Sequence, residues 1–398
     1  MKALFNSKLR VILIIVVTII CSISIGAMAQ SSIDKAQNSA SPQDLTGDND
    51  DMTDSYDTIT RSGWLDDLMR ITGKARLAAD SDAETIFETA QNCGILDQYT
   101  KEDISKPLDR IFVAETTVKA LGYKRRDAGR IVDINMLQAD MSTMAYYGYF
   151  IPDVNDMVHP EQAITEDEYD SLITELKRYD LLKGKTIYTF GDSIMHGSGN
   201  DDRGLGEIIA EKYGMTAYDY SVPGATIGVF GTRGHIRDQL QKALKNKVKP
   251  DLILINGGTN DMNHTALGKI RKSYDVANIT ENDFSGGLEK TLYYIKKDWK
   301  NVPVIYIRAH NMKLGSDDNE RIFGERALSI AHKWDVPAVD LYNDTDMNTE
   351  DAYIGSRYSY RDPDTEASFD TIHPNAIGYA KYYLPPITDQ ITVLFSKE

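Results

Sequence analysis

Hydrophobic positions divide the chain into four stretches. Residues 11–20 are apolar except for Thr18, and residues 30–60 hold few large apolar side chains. From 61 to about 180 apolar residues recur at helical spacing, as in Trp64, Leu65, Leu68 and Ile71, then Ile86, Phe87 and Ala90. From 184 onward, short runs of β-branched and aromatic residues alternate with amphipathic stretches. Strands are predicted at 186–190, 216–220, 252–256, 304–308 and 338–342, and helices at 206–213, 236–246, 284–300, 319–334 and 376–395. Strands apolar throughout are covered on both faces. The alternation therefore predicts an α/β domain over 183–398: a five-stranded parallel sheet in three layers, with right-handed crossovers. Its site is expected at the carboxyl ends of the strands.

The helical stretch, 61–182, is predicted to be a small separate domain containing a weak repeat. Ala90, Gly94 and Asp97 lead through Pro107 to a helix opening near Leu108-Asp109-Arg110. Ala145, Gly148 and Asp153 lead through Pro160 to one opening at Ile164-Thr165-Glu166-Asp167. Thr165 and Glu168 have capping-box spacing. Over about residues 80–180 this arrangement resembles two degenerate copies of the S-layer homology repeat. The resemblance implies a tether to cell-wall polysaccharide; a helical spacer, or a lid on the following domain, is the alternative. Arg110 is equally consistent with a surface ion pair.

The first residues change the picture of where the protein works. Lys2, Lys8 and Arg10 precede the apolar run, and Ala27-Met28-Ala29 follows as a small-x-small cleavage signal. A signal peptide over 1–29, cut after Ala29, is expected, with a retained anchor as the alternative; the apolar run is short for a spanning helix. Cys21 lies in the run's weaker continuation to Ile25, within the expected signal peptide, so Cys93 would stand alone in the mature chain and no intrachain disulfide could form. Residues 30–60, rich in Ser, Asp, Asn and Thr, are expected to be a disordered acidic linker. The formal charge of −16 would become −19 once Lys2, Lys8 and Arg10 are removed, and so acidic a surface repels phosphate backbones. Nucleic acid is excluded as a partner.

Candidate chemistry collects at the predicted strand ends. Gly191-Asp192-Ser193 follows the first strand, Ser221-Val222-Pro223-Gly224-Ala225 the second and Gly257-Gly258-Thr259-Asn260-Asp261 the third. Asp370-Thr371-Ile372-His373-Pro374-Asn375 precedes the last helix. A serine after a strand commonly caps a helix, so Ser193 is a candidate nucleophile only in company. His373 is the candidate base. Asp370, three residues earlier, is close enough for one turn to bring its carboxylate to the imidazole, fix the tautomer and stabilise the imidazolium. Pro374 suits the first turn of the final helix. Together the four blocks resemble the signature blocks of the SGNH (GDSL-type) hydrolases over residues 184–395. That resemblance implies a flavodoxin-like sheet, a catalytic triad of Ser193, Asp370 and His373, and an oxyanion hole. The hole would comprise the backbone N–H of Ser193, that of Gly224 and the amide of Asn260. Asp192 and Asp261 are expected to brace the loops holding Ser193 and Asn260.

His196, His235, His264 and His310 are expected near the rim of the site. None pairs at zinc-site spacing, and neither metal nor other cofactor is expected. Residues 353–368, with Tyr353, Arg357, Tyr358 and Tyr360, form an expected loop suited to sugar contact or to plain solvation. The function expected is a secreted serine esterase, wall-associated if the repeat above binds the wall, removing acyl groups, foremost acetyl, from a carbohydrate. The alternatives are a lipase or lysophospholipase of the same fold, and a wall-bound scaffold or adhesion protein with a vestigial hydrolase domain.

Overall fold

Five strands, β1 (Thr186–Phe190), β2 (Thr216–Asp219), β3 (Leu252–Asn256), β4 (Val304–Arg308) and β5 (Ala338–Asp340), form one sheet in the order β2-β1-β3-β4-β5. Every neighbouring pair is parallel. The computed structural model describes residues 59–230, 234–312, 317–362 and 368–396. The expected signal peptide, and all but the last two residues of the expected linker, lie outside the described residues. No helix among the described residues is long and apolar enough to cross a membrane.

The sheet separates two apolar cores because successive strand residues face opposite ways. Ile187, Leu252, Leu254, Ile305 and Ile307 point to one side. Tyr188, Phe190, Ile253, Ile255, Val304 and Tyr306 point to the other, where they meet the helices Ile236–Ala243, Phe284–Asp298 and Asp317–Lys333. The first core does not stop at the layer formed by the helices Leu205–Lys212 and Leu384–Phe395. It continues without a break through Tyr146, Tyr147, Met144, Phe112, Phe87 and Trp64 of the helical segment.

In that segment helices open where the sequence placed them. In one copy the helix Ala83–Asn92 leads to the helix Arg110–Leu121, capped by Asp109; in the other, Ala139–Tyr146 leads to Glu166–Leu182. Thr165 and Glu168 close a reciprocal capping box. Arg110 is an internal tie between the copies, paired with Glu168 and donating to the Val158 carbonyl at 2.7 Å. Polar bonds line the seam with the helix after β1. Tyr123 Oη donates to the Lys212 carbonyl at 2.6 Å, and Lys212 Nζ pairs with Glu175 at 2.6 Å. Glu211 accepts from Tyr147 Oη at 3.0 Å, from Arg126 at 2.7 and 3.1 Å, and from Arg203. Burial alone would raise the Glu211 carboxyl, but the bonds from Arg126 and Arg203 hold it below its usual range.

Three expectations are corrected. β5 ends at Asp340, whose carboxylate caps a short helix, Leu341–Asp344, where the sequence predicted two more strand residues. The predicted loop at 353–368 is in its described part a helix, Ala352–Tyr358, and a strand, β6 (Ser359–Arg361), paired antiparallel with β7 (Phe369–Pro374). Asp351 starts that helix by accepting from the N–H of Tyr353 at 2.8 Å and of Ile354 at 3.1 Å. The single helix predicted at 376–395 is broken into Ala376–Gly378, a π-helical stretch Tyr379–Tyr383, and Leu384–Phe395. Pro385 and Pro386 lack the N–H groups that would continue the α ladder, so a new helix starts there.

Candidate active site

β1 and β3 are neighbours although β2 comes between them in sequence, so the strand order reverses at β1. Open parallel sheets present ligand crevices at such a point, beyond the strand carboxyl ends. Gly191, directly after β1, occupies a position with no room for a side chain: a Cβ there would lie 2.6 Å from Met195 Cβ and 3.1 Å from the Asn256 carbonyl. Gln239 clamps the same residue from the neighbouring helix, accepting from its N–H at 2.9 Å and donating to its carbonyl at 2.7 Å. Asp192 then caps a four-residue helix, Ser193–His196, through the Ile194 N–H at 3.0 Å. Ser193, first in that helix, is half-buried with its hydroxyl directed at His373.

His373 Nε2 lies 2.8 Å from Ser193 Oγ, and His373 Nδ1 lies 2.5 Å from Asp370 Oδ2. The other Asp370 oxygen accepts from the N–H of Ile372 at 2.7 Å and of His373 at 3.3 Å. This local turn fixes the carboxylate against its own chain. Burial would raise the Asp370 carboxyl, but the bonds from His373 and the Ile372 N–H outweigh it and keep the group below the usual carboxylate range. Asp370 is thus an anion facing the imidazole. Pro374 does not open the last helix: it ends β7, and Asn375 is the cap, accepting from the Gly378 N–H at 2.9 Å.

The three expected oxyanion donors follow β1, β2 and β3, whose ends adjoin in the sheet. Gly224 has φ +78°, a left-handed conformation that glycine adopts without penalty. Asn260 Nδ2 donates one hydrogen to the Ala225 carbonyl at 3.0 Å, tying the third block to the second. Asp261 completes that tie, accepting from the N–H groups of Ile227 at 2.9 Å and Gly228 at 2.8 Å and from Thr265 Oγ1 at 3.1 Å. It therefore braces the Gly224 loop rather than only its own. Burial pushes the carboxyls of Asp192 and Asp261 up to about 6 each.

The remaining histidines divide. His310 and His235 are buried rather than at a rim: His310 Nδ1 meets Tyr383 Oη at 2.6 Å, and His235 Nδ1 meets Thr226 Oγ1 at 3.1 Å. Burial, and then the nearby His373, lowers His310 to about 3, so it is neutral. His196 is half-buried, with Nδ1 3.0 Å from Asp219, and His264 stacks on Phe230 at 6.3 Å between ring centroids. Among the described residues no cluster of three or more His, Cys, Asp or Glu is placed to hold a metal ion. The sequence reading missed Gln239, whose helix carries no motif; its burial on an amphipathic face was the only signal.

Residues 189–381 match the model of the GDSL-like Lipase/Acylhydrolase family. This part of the chain is a domain of that family, and the protein is an ester hydrolase. No curated protein sequence matches the chain. Among solved structures it is similar to a Lactobacillus plantarum protein, with 21% identity, a TM-score of 0.42, and coverage of 55% of this chain and 99% of that one. It is similar to the aryl esterase of M. smegmatis, with 16% identity, a TM-score of 0.36, and coverage of 53% and 100%. A catalytic mutant of an acetylxylan esterase from Geobacillus stearothermophilus is also similar, with 17% identity, a TM-score of 0.35, and coverage of 55% and 96%.

Proposed function

We propose that the protein is an exported serine esterase that removes acetyl groups from a carbohydrate through an acyl-enzyme. The observation carrying this reading is the hydrogen-bonded row from Ser193 Oγ through His373 to Asp370, at 2.8 and 2.5 Å. His373 Nε2 takes the Ser193 proton as Oγ attacks the ester carbonyl, and Asp370 stabilises the imidazolium. The N–H groups of Ser193 and Gly224 and the free amide hydrogen of Asn260 receive the developing oxyanion, each contributing about 3 kcal/mol in the transition state. His373 then returns the proton to the leaving alcohol. Water repeats the sequence on the acyl-enzyme, releasing the acid and restoring Ser193. Export is supported by the basic, apolar and Ala27-Met28-Ala29 pattern of the first residues, and the carbohydrate by the resemblance of residues 80–180 to a wall-binding repeat.

The test is the Ser193→Ala variant assayed on p-nitrophenyl acetate, with circular dichroism as a fold control. A loss of roughly 10⁴-fold or more in kcat is expected. A folded variant with unchanged turnover overturns the nucleophile assignment.

A further inference from the structure

A groove of about 690 Å³ runs between the helical segment and the hydrolase domain, within the ~300–1,000 Å³ usual for ligand sites. One end lies beside the loop that carries His373. Gly199 and Asn375 line it, and a Cβ on Gly199 would lie 2.8 Å from His373 Cβ. The helical segment contributes Arg130 and Asn155, the hydrolase domain Asp201, Tyr353, Tyr360 and Arg361.

Tyr353 is the feature that gives the groove a ligand class. The residue is 49% exposed, yet its ring is not loose. The Arg357 guanidinium lies 5.3 Å from the ring centroid. That guanidinium is itself fixed from the helical segment, donating to the carbonyls of Val154 at 2.8 Å and Asp153 at 2.6 Å and pairing with Asp156 at 2.5 Å. An exposed aromatic surface held in place from behind suits the flat apolar face of a sugar ring. Around it, Asp127 and Asp201 are set against Arg130 and Arg361, so the walls offer hydrogen-bond donors and acceptors of both signs and no single-sign field. Val154 and Ile377 are the only branched aliphatics among the described lining residues, so the described walls are predominantly polar and aromatic.

We propose that this groove is a glycan subsite that seats the sugar chain carrying the ester, with Tyr353 as its stacking platform. The proposal rests on the carbohydrate-ester reading given above. The helical segment thereby forms one wall of the substrate site as well as part of the core.

Acetate release is measured on acetylated xylan, acetylated chitooligosaccharides and acetylated peptidoglycan, and the best of these is compared with p-nitrophenyl acetate, which has no sugar arm. For Tyr353→Ala, the ratio of kcat/KM on the carbohydrate to kcat/KM on p-nitrophenyl acetate is expected to fall at least tenfold, mainly through KM. Tyr353→Phe, which keeps the ring, should hold the ratio within about twofold of the parent. A ratio unchanged in Tyr353→Ala, on a carbohydrate the parent does cleave, overturns the subsite and leaves the carbohydrate reading standing. Turnover of p-nitrophenyl acetate with none of the three carbohydrates overturns that reading and the subsite with it.

Discussion

The clearest consequence at the scale of single residues concerns charge. Asp192 and Asp261 are both buried under the site with carboxyls pushed up to about 6. A carboxyl whose folded value stands above its unfolded one of about 4 takes up a proton on folding. Its influence turns unfavourable as pH climbs from about 4 through 6 and stays so above. Asp370, held low, works the other way: its stabilisation is present above its unfolded value and is lost as pH falls through the folded one. Asp192→Asn keeps an oxygen for the Ile194 N–H and removes the buried charge. Urea unfolding at pH 4.5 and 7.5 should show the variant gaining on the parent at the higher pH, by up to ~3 kcal/mol. Equal pH dependence in the two proteins would mean that Asp192 is not forced to ionise in a dry site. This balance was not legible in the sequence. Gly191-Asp192-Ser193 identified the residue as a loop brace, but only burial reveals what ionising it costs.

Among the elements, the loop from Gly197 to Gly204 carries the tightest constraint. Three of its glycines sit where a side chain collides with backbone. A Cβ on Gly197 would lie 2.2 Å from the Arg203 carbonyl oxygen, on Gly204 2.3 Å from that of Met195, and on Gly199 2.5 Å from that of Pro374. Asn200 Nδ2 fastens the loop to Arg203 and to Tyr146 Oη of the helical segment, each at 3.0 Å. Gly199→Ala should push the His373 loop away from Ser193 and lower kcat on p-nitrophenyl acetate roughly 100-fold, the scale of a 1 Å misplacement. Steady-state kinetics on the folded variant checks this; parental kcat would show that the loop yields freely. The sequence made the four blocks and the five strands legible because apolar runs and loop glycines leave local marks. It concealed Gln239 and the Arg357 tie, whose partners lie 48 residues and about 200 residues away in sequence. The helix Ala352–Tyr358 was hidden by its polar, tyrosine-rich composition, although Asp351 is an ordinary cap.

The whole molecule is built on a shared interior. One apolar core runs from Trp64 and Phe87 to Ile209, Ile187 and Leu254, and the described residues form one compact unit. A chain lacking residues 59–182 would leave Tyr213, Ile209 and Leu384 uncovered and Glu211 and Lys212 without Arg126, Tyr147 and Glu175. Such a fragment should be insoluble, or bind a hydrophobic dye and melt without a cooperative transition. Cooperative unfolding at the parental midpoint would show the two parts to be independent. The repeat spacing revealed the helical segment in the sequence, but no local pattern could tell that its apolar faces belong to the sheet.

The closing helix, Leu384–Phe395, sets a schedule as well as a shape. Leu384, Ile387, Ile391 and Phe395 complete the same core that the helix Arg61–Thr72 begins, so the first and last described helices depend on one interior. Chains emerge in order, from a ribosome or through a membrane pore, and the early helices must wait for Leu384–Phe395 before that interior closes. Asp370 and His373 also arrive late. Hydrolytic competence is therefore tied to synthesis of this helix: a product cut short before Leu384 holds Ser193 and His373 but lacks the core residues that bring them together.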